Sequence, residues 1–310
     1  MKHKRIRPRL WTKDFSCITV ATVLSAIGGE AMNLPISLLV FDQTQSTLLS
    51  ALILVCGMLP DMILPILVAP LIDKGGKKKW IVGLDILLAT VYAAMGIWIT
   101  GHAFSYGLYV GFTLVVGTIS VFYRLAFDAW YPSLIPVGAE QRGYSVSATL
   151  YPLVTILMAP VATFLYSHVP MGTLFLVVSG LTVLSCLVEG CIREVRKAAE
   201  EAYTFRQYRS DIRAGFAFLK REKGIRNIYT YMSITQGASS GVEVLTQAYY
   251  QTQPWLTVTM LGFLKSAEML GRVLSGLLQY LREVPVRKRY AFTKFVYTFY
   301  DTMDAALLWM

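Results

Sequence analysis

Charged side chains are scarce in this sequence of 310 residues. They make up 15% of the chain, whereas about 25% is usual for a soluble domain. Hydrophobic residues make up 55%, and the mean hydropathy is +0.51. So little charge beside so much apolar surface excludes a pair of ordinary soluble domains, and the composition predicts a membrane protein.

Histidine and cysteine are also rare, with three and four residues. Cys17, Cys56, Cys186 and Cys191 show no spacing typical of a disulfide framework or a metal site, and the histidines are scattered. The sequence shows neither a phosphate-binding loop nor a nucleophile with a neighbouring base. We therefore expect no metal, no cofactor and no enzymatic activity.

Long apolar runs dominate what is present. A helix needs about 20 apolar residues to cross a hydrocarbon core about 30 Å thick. Nine segments have roughly this length, at residues 15–41, 47–72, 80–100, 104–130, 144–166, 172–191, 225–250, 255–281 and 292–310. The sequence therefore predicts an all-α membrane protein, a bundle of transmembrane helices.

Among the loops, only alternate ones carry basic residues. They lie before residue 15, at 74–79, at 142, at 193–226 and at 282–289, whereas the loops near 43, 101, 169 and 253 have none. This positive-inside pattern predicts a cytoplasmic N-terminus. The net charge of +10 does not indicate nucleic-acid binding, because no basic stretch forms a folded module of its own.

Polar residues recur at helical spacing in three spans. Residues three and four apart share one helix face, so each set forms a polar stripe. The stripes are Thr22, Ala26, Glu30, Asn33 and Ser37 in the first span, Thr113, Gly117, Ser120, Arg124 and Asp128 in the fourth, and Gln236, Ser240, Glu243, Gln247 and Tyr250 in the seventh. A charge at mid-membrane costs at least about 2.5 kcal/mol. We therefore expect Glu30, Arg124, Glu243 and Asp61 of the second span to face one hydrated cavity.

Charged residues one turn apart predict ion pairs within single helices. Lys265, Glu268 and Arg272 form an intramembrane ion ladder along the eighth span, in which opposite charges offset one another's desolvation. Arg124 likewise has Asp128 one turn away as an available partner. Such pairs either pin helices together or take part in transport.

Other features of the spans predict packing. Gly107 and Gly111 are spaced to let a partner helix come close. Asp85, about one turn inside the cytoplasmic face in the third span, is expected to snorkel to the membrane surface or to act as a latch residue. Spans five and six are mainly apolar and are expected to be lipid-facing support.

The turn at residues 69–79 contains Asp73, Lys74, Gly76 and Lys78, and its two glycines can supply left-handed dihedrals for a tight reversal. This run resembles the signature between the second and third spans of the major facilitator superfamily. In that family the acid and the following base form a cytoplasmic latch with a neighbouring helix. The resemblance implies a latch of these four residues with Asp128.

Two further segments resemble the bacterial macrolide and siderophore exporters of that superfamily. One is Pro132-x3-Pro136, and the other is the run at 211–226. The resemblance implies a basic tail (1–14), an N-terminal six-helix half (15–191), a cytoplasmic amphipathic linker (192–224) and three helices of a second half (225–310). Three further spans are then expected, and the chain is expected to be truncated at its C-terminus.

The resemblance implies a secondary active transporter of the bacterial plasma membrane. We expect efflux of a small amphipathic compound in exchange for protons, by alternating access within the lipid bilayer. Glu30 and Glu243 are the expected proton carriers, while Asn33, Asp61, Arg124, Gln236 and Gln247 complete the expected cavity. Two alternatives stay open: an importer of the same superfamily, and a transport-dead truncated protein that acts as a binding or scaffold component.

Overall fold

The structure is a computed structural model that describes residues 9–74, 76–193, 204–252 and 258–282, and then 285, 288, 289, 291, 292, 294–296 and 298. Side chains are described in these ranges except at residues 47, 74, 159, 205, 240–252 and 258–266. The expected ninth span, residues 292–310, therefore lies mostly outside the described residues.

The described part of the chain is helical and has no strand. Its helices are α1 (Lys13–Thr44), α2 (Thr47–Lys74), α3 (Lys77–Gly101), α4 (Tyr106–Leu134), α5 (Glu140–His168), α6 (Met171–Gly190), α7 (Phe205–Arg221), α8 (Lys223–Thr252) and α9 (Val258–Leu281). The first six expected spans correspond to α1–α6, and the seventh and eighth to α8 and α9. The prediction of an all-α bundle is confirmed.

Five of the described helices, α1 to α4 and α6, are long and apolar enough to cross a membrane. The fifth, α5, makes a sixth candidate if its two parts count as one span, because it bends by 41° between Met158 and Pro160. Proline removes a backbone donor and breaks the helix at this place. Large aliphatic side chains such as Met62 and Leu187 are exposed on the outside of the helices, as expected of a lipid-facing surface.

The chain divides into two compact units, residues 1–212 and 213–310. The division falls inside the expected linker, 192–224. Helix α7 lies there and presents Phe216 and Leu219 to the outside among basic residues such as Arg213 and Lys220. A helix with this pattern suits a membrane surface.

The first unit packs its helices in pairs, α3 against α6 and α2 against α4, with α1 between α5 and α6. Aromatic rings fill the centre. Phe112 of α4 lies edge-on to Tyr92 of α3 and to Phe175 of α6, with ring centroids 5.6 and 5.2 Å apart. These contacts fix the walls around the polar residues described below.

A close contact between two helices lies at other glycines than the predicted ones. A Cβ at Gly117 of α4 would lie 2.4 Å from the Gly57 carbonyl oxygen of α2, so these two backbones touch. A Cβ at Gly107 or Gly111 would meet nothing within 4 Å, and the prediction of close packing there is wrong. Gly117 lies six residues beyond Gly111, about 240° around the helix, and faces a different neighbour.

The turn before α3 does not use Gly76 as expected. Gly76 has φ −64° and ψ 110°, an extended conformation, and is the N-cap of α3. The left-handed dihedral predicted for it is therefore wrong, and Gly75 lies outside the described residues. The backbone thus enters α3 from an extended residue.

Lys78 caps the end of α6. Its Nζ donates to the carbonyl oxygens of Gly190 and Ile192, at 2.8 and 2.7 Å, where a helix has carbonyls without intrahelical partners. We expect Lys78→Met to destabilise the first unit by about 1 kcal/mol, which lowers the melting temperature by roughly 3 °C. Thermal unfolding of the purified protein measures this, with Lys77→Met as the matched control. Equal losses at both positions would contradict a capping role.

Candidate functional site

The candidate site is a cavity of about 470 Å³ within the first unit, lined by all six helices from α1 to α6. Its polar lining comprises Ser25, Glu30, Asn33, Asp61, Asp85, Ser120, Tyr123, Arg124, Asp128, Ser147, Tyr151 and Thr182. The structure thus brings together Glu30, Asn33, Asp61 and Arg124, which the sequence placed on three different spans. Their roles in transport are taken up below as a proposal.

Arg124 forms a two-pronged ion pair with Asp61. Nη2 and Oδ1 are 2.6 Å apart, and Nη1 and Oδ2 are 3.1 Å apart. The planar guanidinium presents two parallel donors to both carboxylate oxygens, the strongest geometry for such a pair. The predicted pairing of Arg124 with Asp128 on the same helix is wrong, because the Gly57–Gly117 contact brings Asp61 of α2 within reach.

Glu30 has an uncharged partner. The Thr155 hydroxyl of α5 donates to Glu30 Oε1 at 2.9 Å, and no lysine or arginine of the described residues forms an ion pair with this carboxylate. The expectation that α5 and α6 are lipid-facing support is therefore wrong, because Thr182 of α6 lines the cavity as well. Ser147, Tyr151 and Thr155 follow at steps of four, a polar stripe in the sequence that would have revealed the cavity face of α5.

Sequence analysis did not single out one buried acid, Glu189, and placed another, Asp85, near the membrane surface. Asp85 is 2% exposed and Glu189 of α6 is fully buried, at 0%, so the expectation that Asp85 snorkels is wrong. The two carboxyl groups lie next to each other, and the Tyr123 hydroxyl donates to Glu189 Oε1 at 2.7 Å. The sequence offered one signal for Glu189, since it is a single acid near the end of the apolar sixth span.

The remaining expected residues of the cavity and the ladder belong to the second unit. Gln236 is exposed on α8, while the side chains of Glu243, Gln247 and Lys265 lie outside those described. On α9, Arg272 Nη2 and Glu268 Oε1 are 2.7 Å apart, an ion pair along one helix as predicted.

The residues of the expected latch lie at one end of the first unit. Asp73 is exposed near the C-terminus of α2, Gly76 precedes α3, and the Lys74 side chain lies outside those described. Lys78 contacts the end of α6, whereas Asp128 lines the cavity. A latch formed by these residues stays a prediction.

The fold and the site together define a class of protein. Apolar helices surround a cavity that carries an interhelical ion pair and a carboxyl group bonded to a neutral hydroxyl, and charged groups inside a membrane bundle mark the path of a solute or an ion. This is the architecture of a multi-pass membrane transporter.

Comparison with known proteins identifies the family. The profile of the Major Facilitator Superfamily matches residues 18–299, and the chain belongs to this superfamily. The chain is also similar to macrolide efflux protein A of Streptococcus pyogenes, with 23% identity over 278 residues that cover 86% of this chain and 67% of that protein. The protein of the same name from Streptococcus pyogenes serotype M6 matches with the same values.

Proposed function

We propose that the protein is a secondary active transporter that exports a small amphipathic compound of the macrolide type in exchange for protons. The observation that carries this proposal is the cavity, where Glu30 and the Arg124–Asp61 pair face the same space between six helices. Its volume of about 470 Å³ lies in the range of small-molecule sites. The similarity to macrolide efflux protein A supports the direction and the substrate class.

Glu30 is the proposed proton carrier of the first unit. Its described polar contact is a neutral hydroxyl, so the carboxyl group can gain and lose a proton without breaking an ion pair. Asp61 differs, because its charge is balanced by Arg124 at 2.6 Å and the pair stays neutral as a whole. Glu243 of α8 has the corresponding role in the second unit, with Gln236 and Gln247 beside it in the sequence stripe.

In this proposal the N-terminus of the protein lies in the cytoplasm. The basic residues of alternate loops support this orientation. Asp73, Lys74, Gly76 and Lys78 then lie on the cytoplasmic side and act with Asp128 as a latch that closes the cavity from that side. Opening and closing of the latch would alternate access to Glu30 and the Arg124–Asp61 pair.

The test measures macrolide-dependent proton flux in proteoliposomes that contain the full chain. Glu30→Gln is expected to reduce this flux about tenfold or more, because an amide cannot carry a proton. A tenfold change corresponds to about 1.4 kcal/mol. Asp42→Asn is the matched control, since Asp42 is an exposed acid at the other end of the same helix α1. Normal flux in Glu30→Gln would remove Glu30 from the mechanism, and uptake of the macrolide with the proton would contradict export.

A further inference from the structure

We propose that Asp85 and Glu189 together form a second proton-binding site, which exchanges its proton with the cavity. The inference rests on the proposed proton-coupled transport and adds a site to it that is separate from Glu30. It starts from the contact between α3 and α6, where the two carboxyl groups meet. Both side chains are at least 98% buried, with exposed fractions of 2% and 0%.

The hydrogen bonds around this acid pair leave one position open on each carboxyl group. Asp85 Oδ2 and Glu189 Oε2 are buried and have no conventional donor among the described residues. Tyr123 donates to the other oxygen of Glu189, while the Ser185 hydroxyl next to Asp85 donates to the Ala21 carbonyl oxygen at 3.2 Å. A buried polar atom without a partner costs about 1–3 kcal/mol. A proton on one carboxyl group that is donated to the other removes this deficit, because two carboxylates can bond to each other only through a proton.

The surroundings of the acid pair offer no compensating positive charge within the described residues. On the α4 side, Tyr123 faces the pair, and Tyr151 of α5 lies beyond it. On the α6 side, Ser185 and Cys186 face the pair, and Ser25 of α1 is hydrogen-bonded to Ser185. The nearby cation Lys78 donates to the Gly190 and Ile192 carbonyls, and Arg124 is paired with Asp61. Two adjacent negative charges in this apolar place would each carry a large desolvation cost.

The site is connected to the cavity. Asp85 and Tyr123 both line it, and Tyr123 precedes Arg124 on α4. Hydronium in the cavity can therefore deliver a proton to the acid pair, and the same proton returns to water when the pair releases it, with no bond broken other than the carboxyl O–H bond. Proton release would leave two negative charges facing each other between α3 and α6.

Repulsion between those charges would act at one end of the α3–α6 contact. At the other end the two backbones touch, because a Cβ at Gly96 would lie 2.9 Å from the Gly172 carbonyl oxygen. The glycine contact therefore holds the helices together there, while the acid pair controls their separation near Lys78. Protonation of the pair thus favours the closed arrangement of the end that carries the expected latch.

The first arm of the test detects the proton without any substrate. Infrared spectra of the full chain in lipid nanodiscs at neutral pH are expected to show the carbonyl stretch of a buried protonated carboxyl group. Asp85→Asn and Glu189→Gln, which keep the size of each side chain, are both expected to shift or remove this band. Glu30→Gln and the exposed-acid variant Asp42→Asn are expected to leave it. A spectrum without the band, or a band insensitive to both variants, would overturn the proposal, as would a band that disappears on addition of sodium at constant pH.

The second arm measures coupling in proteoliposomes with a macrolide antibiotic as the probe. Glu189→Gln is expected to reduce macrolide-dependent proton flux at least tenfold, whereas the exposed-acid variant Asp42→Asn is expected to keep it. If Glu30→Gln loses flux and Glu189→Gln does not, the proposed transport function stands and the second site is refuted. If the unmodified protein moves no protons with the macrolide, the proposed function itself fails, whatever the infrared spectrum shows.

Discussion

Arg124→Gln is expected to reduce transport more than tenfold, and Asp61→Asn in the same chain is expected to restore much of the lost rate. Arg124 and Asp61 bind each other through two contacts, at 2.6 and 3.1 Å. In the proposed alternating-access cycle the cavity closes from water, and an unpaired charge inside a closed membrane bundle costs at least about 2.5 kcal/mol. Because 1.4 kcal/mol corresponds to a factor of ten, the single variant loses more than tenfold. The double variant removes both charges of this pair, so neither is left without its partner.

The effect on stability is expected to be much smaller than the effect on transport. The Arg124 and Asp61 side chains are 53% and 42% exposed, so water screens the pair in the open cavity and its contribution to folding stays below about 1 kcal/mol. Transport rates and melting temperatures of both single variants and the double variant measure the two effects. Loss of the Arg272–Glu268 pair of α9 serves as the control for the change in melting temperature, since that pair joins residues of one helix. A double variant that is slower than either single variant would refute the paired role.

The second large effect is expected at the contact between α2 and α4. Gly117→Ala places a methyl group 2.4 Å from the Gly57 carbonyl oxygen, and a backbone atom cannot move aside as a flexible side chain can. The two helices must separate, at a cost of about 3 kcal/mol, which lowers the melting temperature by roughly 6–12 °C. Since this contact also brings Asp61 to Arg124, the variant is expected to lose transport as well.

Gly111→Ala is the matched control, because it makes the same chemical change on the same helix with nothing within 4 Å of the new methyl group. Its melting temperature is expected to stay the same or to rise slightly, since alanine favours the helix over glycine. Purified protein in detergent, unfolded by heat, gives both values. A larger loss at Gly111 than at Gly117 would show that α2 and α4 do not pack through Gly57.

Within single helices, sequence patterns were a good guide. The steps of three and four that link Glu30 to Asn33, and Ser120 to Arg124 and Asp128, put these residues on cavity-facing sides of α1 and α4. The Glu268–Arg272 pair also formed as expected, because both residues lie on one helix and the geometry of a helix is known in advance. The apolar runs likewise gave the lengths of the membrane helices.

Between helices the same patterns failed. Gly107 and Gly111 have the spacing of a helix contact but face open space, while Gly57 and Gly117, 60 residues apart, touch. Asp85 was expected at the membrane surface and instead lies against Glu189, about a hundred residues away. No local signal joins residues at such separations, and a single acid in an apolar run does not reveal which neighbour will cover it.

By itself the sequence determined that the protein lies in a membrane, which segments are helices, and which polar residues share a helix face. These follow from composition and from the 3.6-residue period, both of which act over a few turns of chain. Only the tertiary structure decided that Arg124 meets Asp61 and that Asp85 meets Glu189. The physical reason is that a helix face has no partner until another helix packs against it, and the choice of that helix depends on the shapes of all the faces at once.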